Sequence, residues 1–203
     1  MSLSETYVIK KYELGESFKT NQFIAILVLS IVCPLFFPTL LSYFGIKSAI
    51  ISQLVVGGIV NGALIYSALN VTKLKNILTL IILPSIVTLS TGMIFGTSNK
   101  NIIYMTLFIW LGNIALITFI KSLHLGKKLR FELSLIIAAI VKAIIIYLGF
   151  LMFLNFNIIT GTQKFIENFS FSMGVLQFVT CIIGGSLLIP LIYIYDKLFD
   201  RNN

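Results

Sequence analysis

Lys142 is the residue of this chain whose type and setting most call for chemistry. It stands in an apolar run, between Ala138, Ala139 and Val141 on one side and Ala143 and Ile144 on the other. An ionisable side chain in the middle of a lipid-spanning segment costs at least about 3 kcal/mol on insertion scales, so it is a functional residue by default. An acidic partner is the usual stabiliser. The seven acidic residues are Glu5, Glu13, Glu16, Glu132, Glu167, Asp196 and Asp200, and none lies deep in an apolar run. Three readings follow. Lys142 binds an anionic ligand such as a carboxylate or phosphate; or it sits in a wet cavity, hydrogen-bonded to carbonyls and amides; or it snorkels toward one membrane face.

Other polar groups in apolar runs are candidates to converge on it. They include Trp110, Asn113 and Thr118, then Ser172, Gln177 and Thr180, then Ser85, Thr88, Ser90 and Thr91, and finally Gln53 and Asn61. The candidate ligand-binding set is Lys142, Trp110, Asn113, Gln177, Tyr104, Ser90 and Thr180. In it Lys142 neutralises an anionic group, Trp110 stacks on a ring, and Asn113 and Gln177 give directional hydrogen bonds. Aromatic walls with a few directed polar groups are how small-molecule sites are built. The plainer reading of each serine or threonine is a hydrogen bond back to its own helix. For Asn113 and Gln177 it is a hydrogen bond between helices.

Other chemistries find little footing. The one histidine, His124, lies in a basic loop and is expected to be solvated. Cys33 and Cys181 lie in apolar runs and read as small packing residues. No His, Cys, Asp and Glu cluster has metal-ligand spacing, and no glycine-rich phosphate loop is present, so neither metal nor other cofactor is expected, and ATP hydrolysis would have to come from a partner. No catalytic residue is expected. The enzyme alternative is a Ser–Lys pair with Lys142 as general base and Ser85 or Ser90 as nucleophile. A third class is a structural or assembly subunit that binds no ligand.

The elements that must position these residues follow from composition. Of 203 residues, 58% are hydrophobic and 11% charged, and the mean hydropathy is +1.01. Water-soluble domains carry about 25% charged residues, so this chain needs lipid as its solvent. The expected fold is an all-α integral membrane protein, a single bundle of six transmembrane helices spanning about 23–44, 49–70, 77–96, 102–120, 131–156 and 171–195. Residues 1–22 form a polar segment without signal-peptide character, and 23–198 form the transmembrane domain. Gly45 and Lys47 mark a tight hairpin, and Gly96 to Lys100 a turn. Lys121 to Arg130 reads as a connection. Asn157 to Ser170 reads as the longest external one, with a short surface helix around Lys164, Phe165, Ile166 and Phe169.

Charge sets the orientation. The net charge is +8, but the basic residues lie between apolar runs, which speaks for anionic lipid over nucleic acid as partner. With both termini cytoplasmic, the inner segments hold Lys10, Lys11, Lys19, Lys73, Lys75, Lys121, Lys127, Lys128, Arg130, Lys197 and Arg201. The outer ones hold only Lys47, Lys100 and Lys164. That is the positive-inside pattern of a multi-pass cell-membrane protein. Tyr104, Trp110, Gln177 and Ser90 then fall in the outer half of the bilayer. Asn113 and Lys142 fall near its middle, at the floor of a cavity open to the outside. Pro34, Pro38, Pro84 and Pro190 read as kinks. Gly57, Gly58, Gly62, Gly184 and Gly185 read as sites of close helix approach.

Several stretches carry a family likeness: Leu83-Pro84-Ser85 through Thr91-Gly92-Met93-Ile94-Phe95-Gly96, Phe108-Ile109-Trp110-Leu111-Gly112-Asn113, Ala139-Ile140-Val141-Lys142-Ala143, and Met173-Gly174-Val175-Leu176-Gln177 with Gly184-Gly185. With six short spans and both termini inside, the chain resembles the substrate-binding S components of energy-coupling-factor vitamin transporters. Within that superfamily these stretches look like a small clostridial-type membrane protein group. The resemblance implies a micronutrient or vitamin binder loaded from outside and driven by a transmembrane scaffold subunit with two ATPase subunits. Such proteins often dock the scaffold through small residues four apart in helix 1, whereas here Ala25 is followed four positions on by Leu29.

Overall fold

In a computed structural model the backbone is described for residues 16–46, 48–70, 73–91 and 99–200. Every regular element among them is helical. Lipid offers backbone groups no hydrogen-bond partners, so each apolar segment must satisfy its own, and a helix does so. The elements are α1 (Glu16–Tyr43), α2 (Ala49–Asn70), α3 (Leu74–Thr91), α4 (Asn99–Ile120), α5 (Phe131–Asn155), α6 (Gln163–Met173) and α7 (Val175–Asp200). Among the described residues, five apolar helical stretches are long enough to cross a membrane: Phe23–Tyr43, Ile50–Asn70, Asn101–Gly126, Phe131–Asn155 and Gln163–Pro190. A shorter sixth, Leu74–Ser90, is apolar too. The chain is thus a helical, multi-pass membrane protein.

Helix α2 covers residues 49–70 and α5 residues 131–155. Lys47, the Gly96-to-Lys100 turn as far as Ser98, and residues 1–15 lie outside the described residues. The first hairpin closes as its glycine predicts. Gly45 has φ +78°, its N–H donates to the Ser42 carbonyl at 3.0 Å, and the Ile46 N–H donates to the Leu41 carbonyl at 2.8 Å. Those two bonds satisfy carbonyls that α1 would otherwise leave bare.

Two local features depart from expectation. The chain does not leave α4 at Lys121. A π-helical turn, Lys121–Gly126, carries the helix on, with the Lys127 N–H donating to the Ser122 carbonyl at 2.9 Å. His124, expected to be solvated, is half-buried. Its Nδ1 lies 2.9 Å from the Leu129 carbonyl, and its ring meets Phe131 edge-on at 5.5 Å. The histidine therefore ties the connection to the start of α5. At the other side of the bundle a helix, α6, does form over the expected stretch, but it runs to Met173 and takes the first residues of the expected sixth span. Gly174 breaks the chain direction before α7 begins. The Thr162 side chain caps α6, accepting from the Phe165 N–H at 3.3 Å.

Helices α2, α4, α5 and α7 make the interior, α3 packs on α1, α2 and α4, and α1 lies outermost against α2 and α3. The glycines behave as their spacing suggests. A Cβ on Gly184 would collide with the Gly58 carbonyl and lie 2.5 Å from the Gly62 N–H nitrogen, so α2 and α7 touch backbone to backbone. A main core cluster around Leu64, Ile65, Leu80, Leu116 and Ala138 fills one half of the bundle. A second, around Met105, Ile146, Phe150 and Phe169, seats α6 on the other.

Candidate functional site

Lys142 lies near the midpoint of α5 and is only 2% exposed. Ile146, one turn on, and Gly112 of α4 close around its stem: a Cβ on Gly112 would stand 3.2 Å from the lysine Cγ. The ammonium Nζ donates to Asn61 Oδ1 on α2 at 2.5 Å. Asn61 Nδ2 donates in turn to Thr180 Oγ1 on α7 at 2.9 Å, and the Thr180 hydroxyl donates to the Gln177 carbonyl at 3.0 Å. One polar chain thus runs from α5 through α2 to α7. It contains no carboxylate, and the ion pair described here is remote from it, between exposed Arg130 and Glu132 at 3.6 Å.

Lys142 lines a partly open cleft of about 120 Å³ between α2, α3, α4, α5 and α7. Its polar wall residues include Gln53 and Asn61, Ser85 and Thr88, Thr106 and Asn113, with Gln177 and Thr180 opposite; the rest are apolar apart from Lys142. The α2 and α4 contributors start within the first turns of their helices, the α3 ones come from its second half, and the α7 ones from its first two turns. Because the helices alternate in direction, all these stretches lie at one end of the bundle. That end carries the connection after α1 and helix α6. The basic stretch from Lys121 to Arg130 lies at the other.

The wall contains groups with unmet hydrogen bonds. Among the described residues, the buried side-chain atoms without a partner are Gln53 Oε1, Asn113 Oδ1 and Trp110 Nε1. The first two belong to the cleft. Buried polar groups are nearly always hydrogen-bonded, so two free amide oxygens in one cleft are where a bound molecule would supply the donor. α7 adds to this. It begins abruptly after Gly174, and Leu176 and Gln177 of its first turn are on the wall. The Gln177 N–H is met by the Gly174 carbonyl at 3.1 Å, and the helix start still carries partial positive charge.

Of the expected site residues, Lys142, Asn113, Gln177 and Thr180 meet at the cleft. Trp110, Tyr104 and Ser90 do not line it. Trp110 packs against the main core cluster, so a stacking role has no geometric support. Tyr104 is half-exposed and tilts against Phe153 with centroids 6.2 Å apart. Ser90 is exposed and its hydroxyl donates to the Val87 carbonyl at 2.9 Å. Gln177 uses its amide within the α6–α7 turn, donating to the Ser172 carbonyl at 3.2 Å, and not toward Asn113. Asn61 and Gln53, which sequence reasoning left among the secondary polar groups, belong at the centre. The available signal was an asparagine set among Gly57, Gly58 and Gly62, where helices approach closely enough for a short side chain to reach across. Among the described residues no group of His, Cys, Asp and Glu could hold a metal ion.

Compared with protein-family models, with curated proteins and with solved structures, the chain matches none.

Proposed function

We propose that this protein is the solute-binding subunit of a micronutrient or vitamin uptake system in the cell membrane. The observation that carries the reading is a buried lysine on the wall of a partly open cleft, next to two unpartnered amide oxygens and no carboxylate. Packing alone gives no reason to keep such groups in lipid. The chain crosses the membrane six times, with α3 as the short span and α6 lying over the outer end. Both termini are cytoplasmic, because the basic residues of the two inner connections, Lys73 and Lys75 and then Lys121 to Arg130, face the cytoplasm. The cleft then opens outward with Lys142 at its floor. Uptake would rely on a scaffold subunit with two ATPases, as the family resemblance implies.

The enzyme reading has weaker support. Ser85 shares the cleft with Lys142, but its hydroxyl donates to the Ile81 carbonyl at 3.2 Å, while the lysine donates to Asn61. A ligand-free structural subunit calls for a tightly filled interior, and the open cleft argues against that. Native mass spectrometry of gently purified protein tests the proposal. A co-purified small molecule is expected, and Lys142→Ala should weaken its binding by at least tenfold. An unchanged affinity removes Lys142 from the site.

A further inference from the structure

The cleft restricts the class of solute it can hold. Resting on the reading of the protein as a solute binder, we infer that its ligand is a ring-sized organic carboxylate whose remaining edge carries neutral N–H or O–H donors. The carboxylate meets Lys142, and the donors meet Asn113 Oδ1 and Gln53 Oε1.

Three features of the wall lead there. The first is charge. Lys142 is the one ionisable residue on the wall, and one of its three ammonium protons is given to Asn61. Another faces the Cys181 sulfur, which leaves one donor and a positive charge, with no carboxylate to neutralise them. The first turn of α7 reinforces the same sign. An anion fits, and a free ammonium group on the ligand does not.

The second feature is the pair of bare oxygens. An amide oxygen accepts and cannot donate, so a ligand of acceptors only would leave both unpaired. Asn113 is 4% exposed, which rules out ready solvation from outside. The two oxygens stand at different depths. Gln53 precedes Asn61 by eight residues on α2, a rise of about 12 Å, so it lies nearer the mouth than the floor. A ligand serving both ends has its carboxylate and a donor on opposite sides.

The third feature is size. At about 120 Å³ the cleft is of the order of a cavity that accepts one benzene ring, about 150 Å³. The enclosed part of the ligand therefore has about six to ten non-hydrogen atoms. Apolar wall residues such as Val60, Ile102 and Ile109 suit the faces of such a ring.

The test titrates the full chain, in detergent or lipid nanodiscs, with benzoate, 4-hydroxybenzoate, 4-aminobenzoate and 4-hydroxybenzamide, read by calorimetry. The two acids bearing a donor should bind about tenfold more tightly than benzoate, as one added buried hydrogen bond predicts. They should also bind at least tenfold more tightly than the amide. Lys142→Gln, which can still donate to Asn61, should erase the preference for acid over amide. Asn113→Leu combined with Gln53→Leu should erase the preference for the donor and leave that for the acid. Equal binding of amide and acid, or of benzoate and hydroxybenzoate, overturns the inference. If no probe binds at millimolar concentration while mass spectrometry finds another bound solute, the ligand class is wrong and the binder stands. If no probe binds and the purified protein carries nothing, the reading as a binder falls with it.

Discussion

At the scale of the residue, the Lys142–Asn61–Thr180 chain makes a specific energetic claim. Removing one member leaves a buried charge or amide unpaired, and that costs about 1.5–3 kcal/mol where a charged group is involved. Asn61→Leu should therefore lower thermal stability by that amount, and Lys142→Met added to it should recover most of the loss. A double-mutant cycle measured by thermal unfolding in detergent checks this; additive losses would mean that the two side chains do not act on each other. This pairing was only half legible in the sequence. Lys142 announces itself, because nothing about an apolar helix explains a lysine. Its partner does not, because an amide in a membrane helix is cheap enough to occur for packing alone. Helical arithmetic could have separated one candidate from the cleft. Nine residues separate Tyr104 from Asn113, a rotation of about 180° at 3.6 residues per turn, so the two cannot face the same cleft.

At the scale of the element, the close contact of α2 with α7 holds Asn61 and Thr180 within reach of each other. Gly184→Leu should push those helices apart, cost about 1–3 kcal/mol as overpacking does, and weaken whatever the cleft binds. Gly45→Ala, in open space but at positive φ, should cost only about 1 kcal/mol and leave binding intact. Thermal unfolding and ligand titration of the two variants separate the effects. Helix α6 rests on Phe169 and Met173, both buried, and on its Thr162 cap. Thr162→Ala should weaken it by about 1 kcal/mol, seen as faster amide hydrogen exchange confined to α6. The spans themselves were readable because twenty apolar residues have one stable answer in lipid. The π-helical turn after α4 was not. Its Lys121, Ser122 and His124 carry the composition of a loop, while the bonds from Lys127 to Ser122 and from Leu129 to Leu123, with the anchoring of His124, hold its end.

At the scale of the whole molecule, the sidedness is testable with the protein's own chemistry. Cys33 and Cys181 are both buried, so they make a silent background for labelling. With the proposed orientation, Thr160→Cys should react with a membrane-impermeant maleimide on intact cells, and Ser122→Cys only after permeabilisation. The reverse pattern would place the cleft on the cytoplasmic side and change the direction of transport. Charge counting gives this orientation, and the expected outward-opening cavity follows from it; which residues ring its mouth does not. That needed the three-dimensional arrangement of Gln53, Leu89, Thr106 and Leu176 around one opening.

The hydrogen bond from Lys142 to Asn61 also bears on how the protein is made. The two residues are 81 positions apart, and the asparagine comes first from the ribosome. Chains are released into the bilayer from the N-terminal end, so α2 is already in lipid when the lysine-bearing segment reaches it. α5, the span that carries the lysine, thus finds its acceptor waiting. Thr180 arrives last, after Lys142 and Asn61 can already have met, and closes the chain of bonds. Transplanting Asn61 to a segment synthesised after α5 would leave the finished contact unchanged and deprive the lysine of that help during assembly.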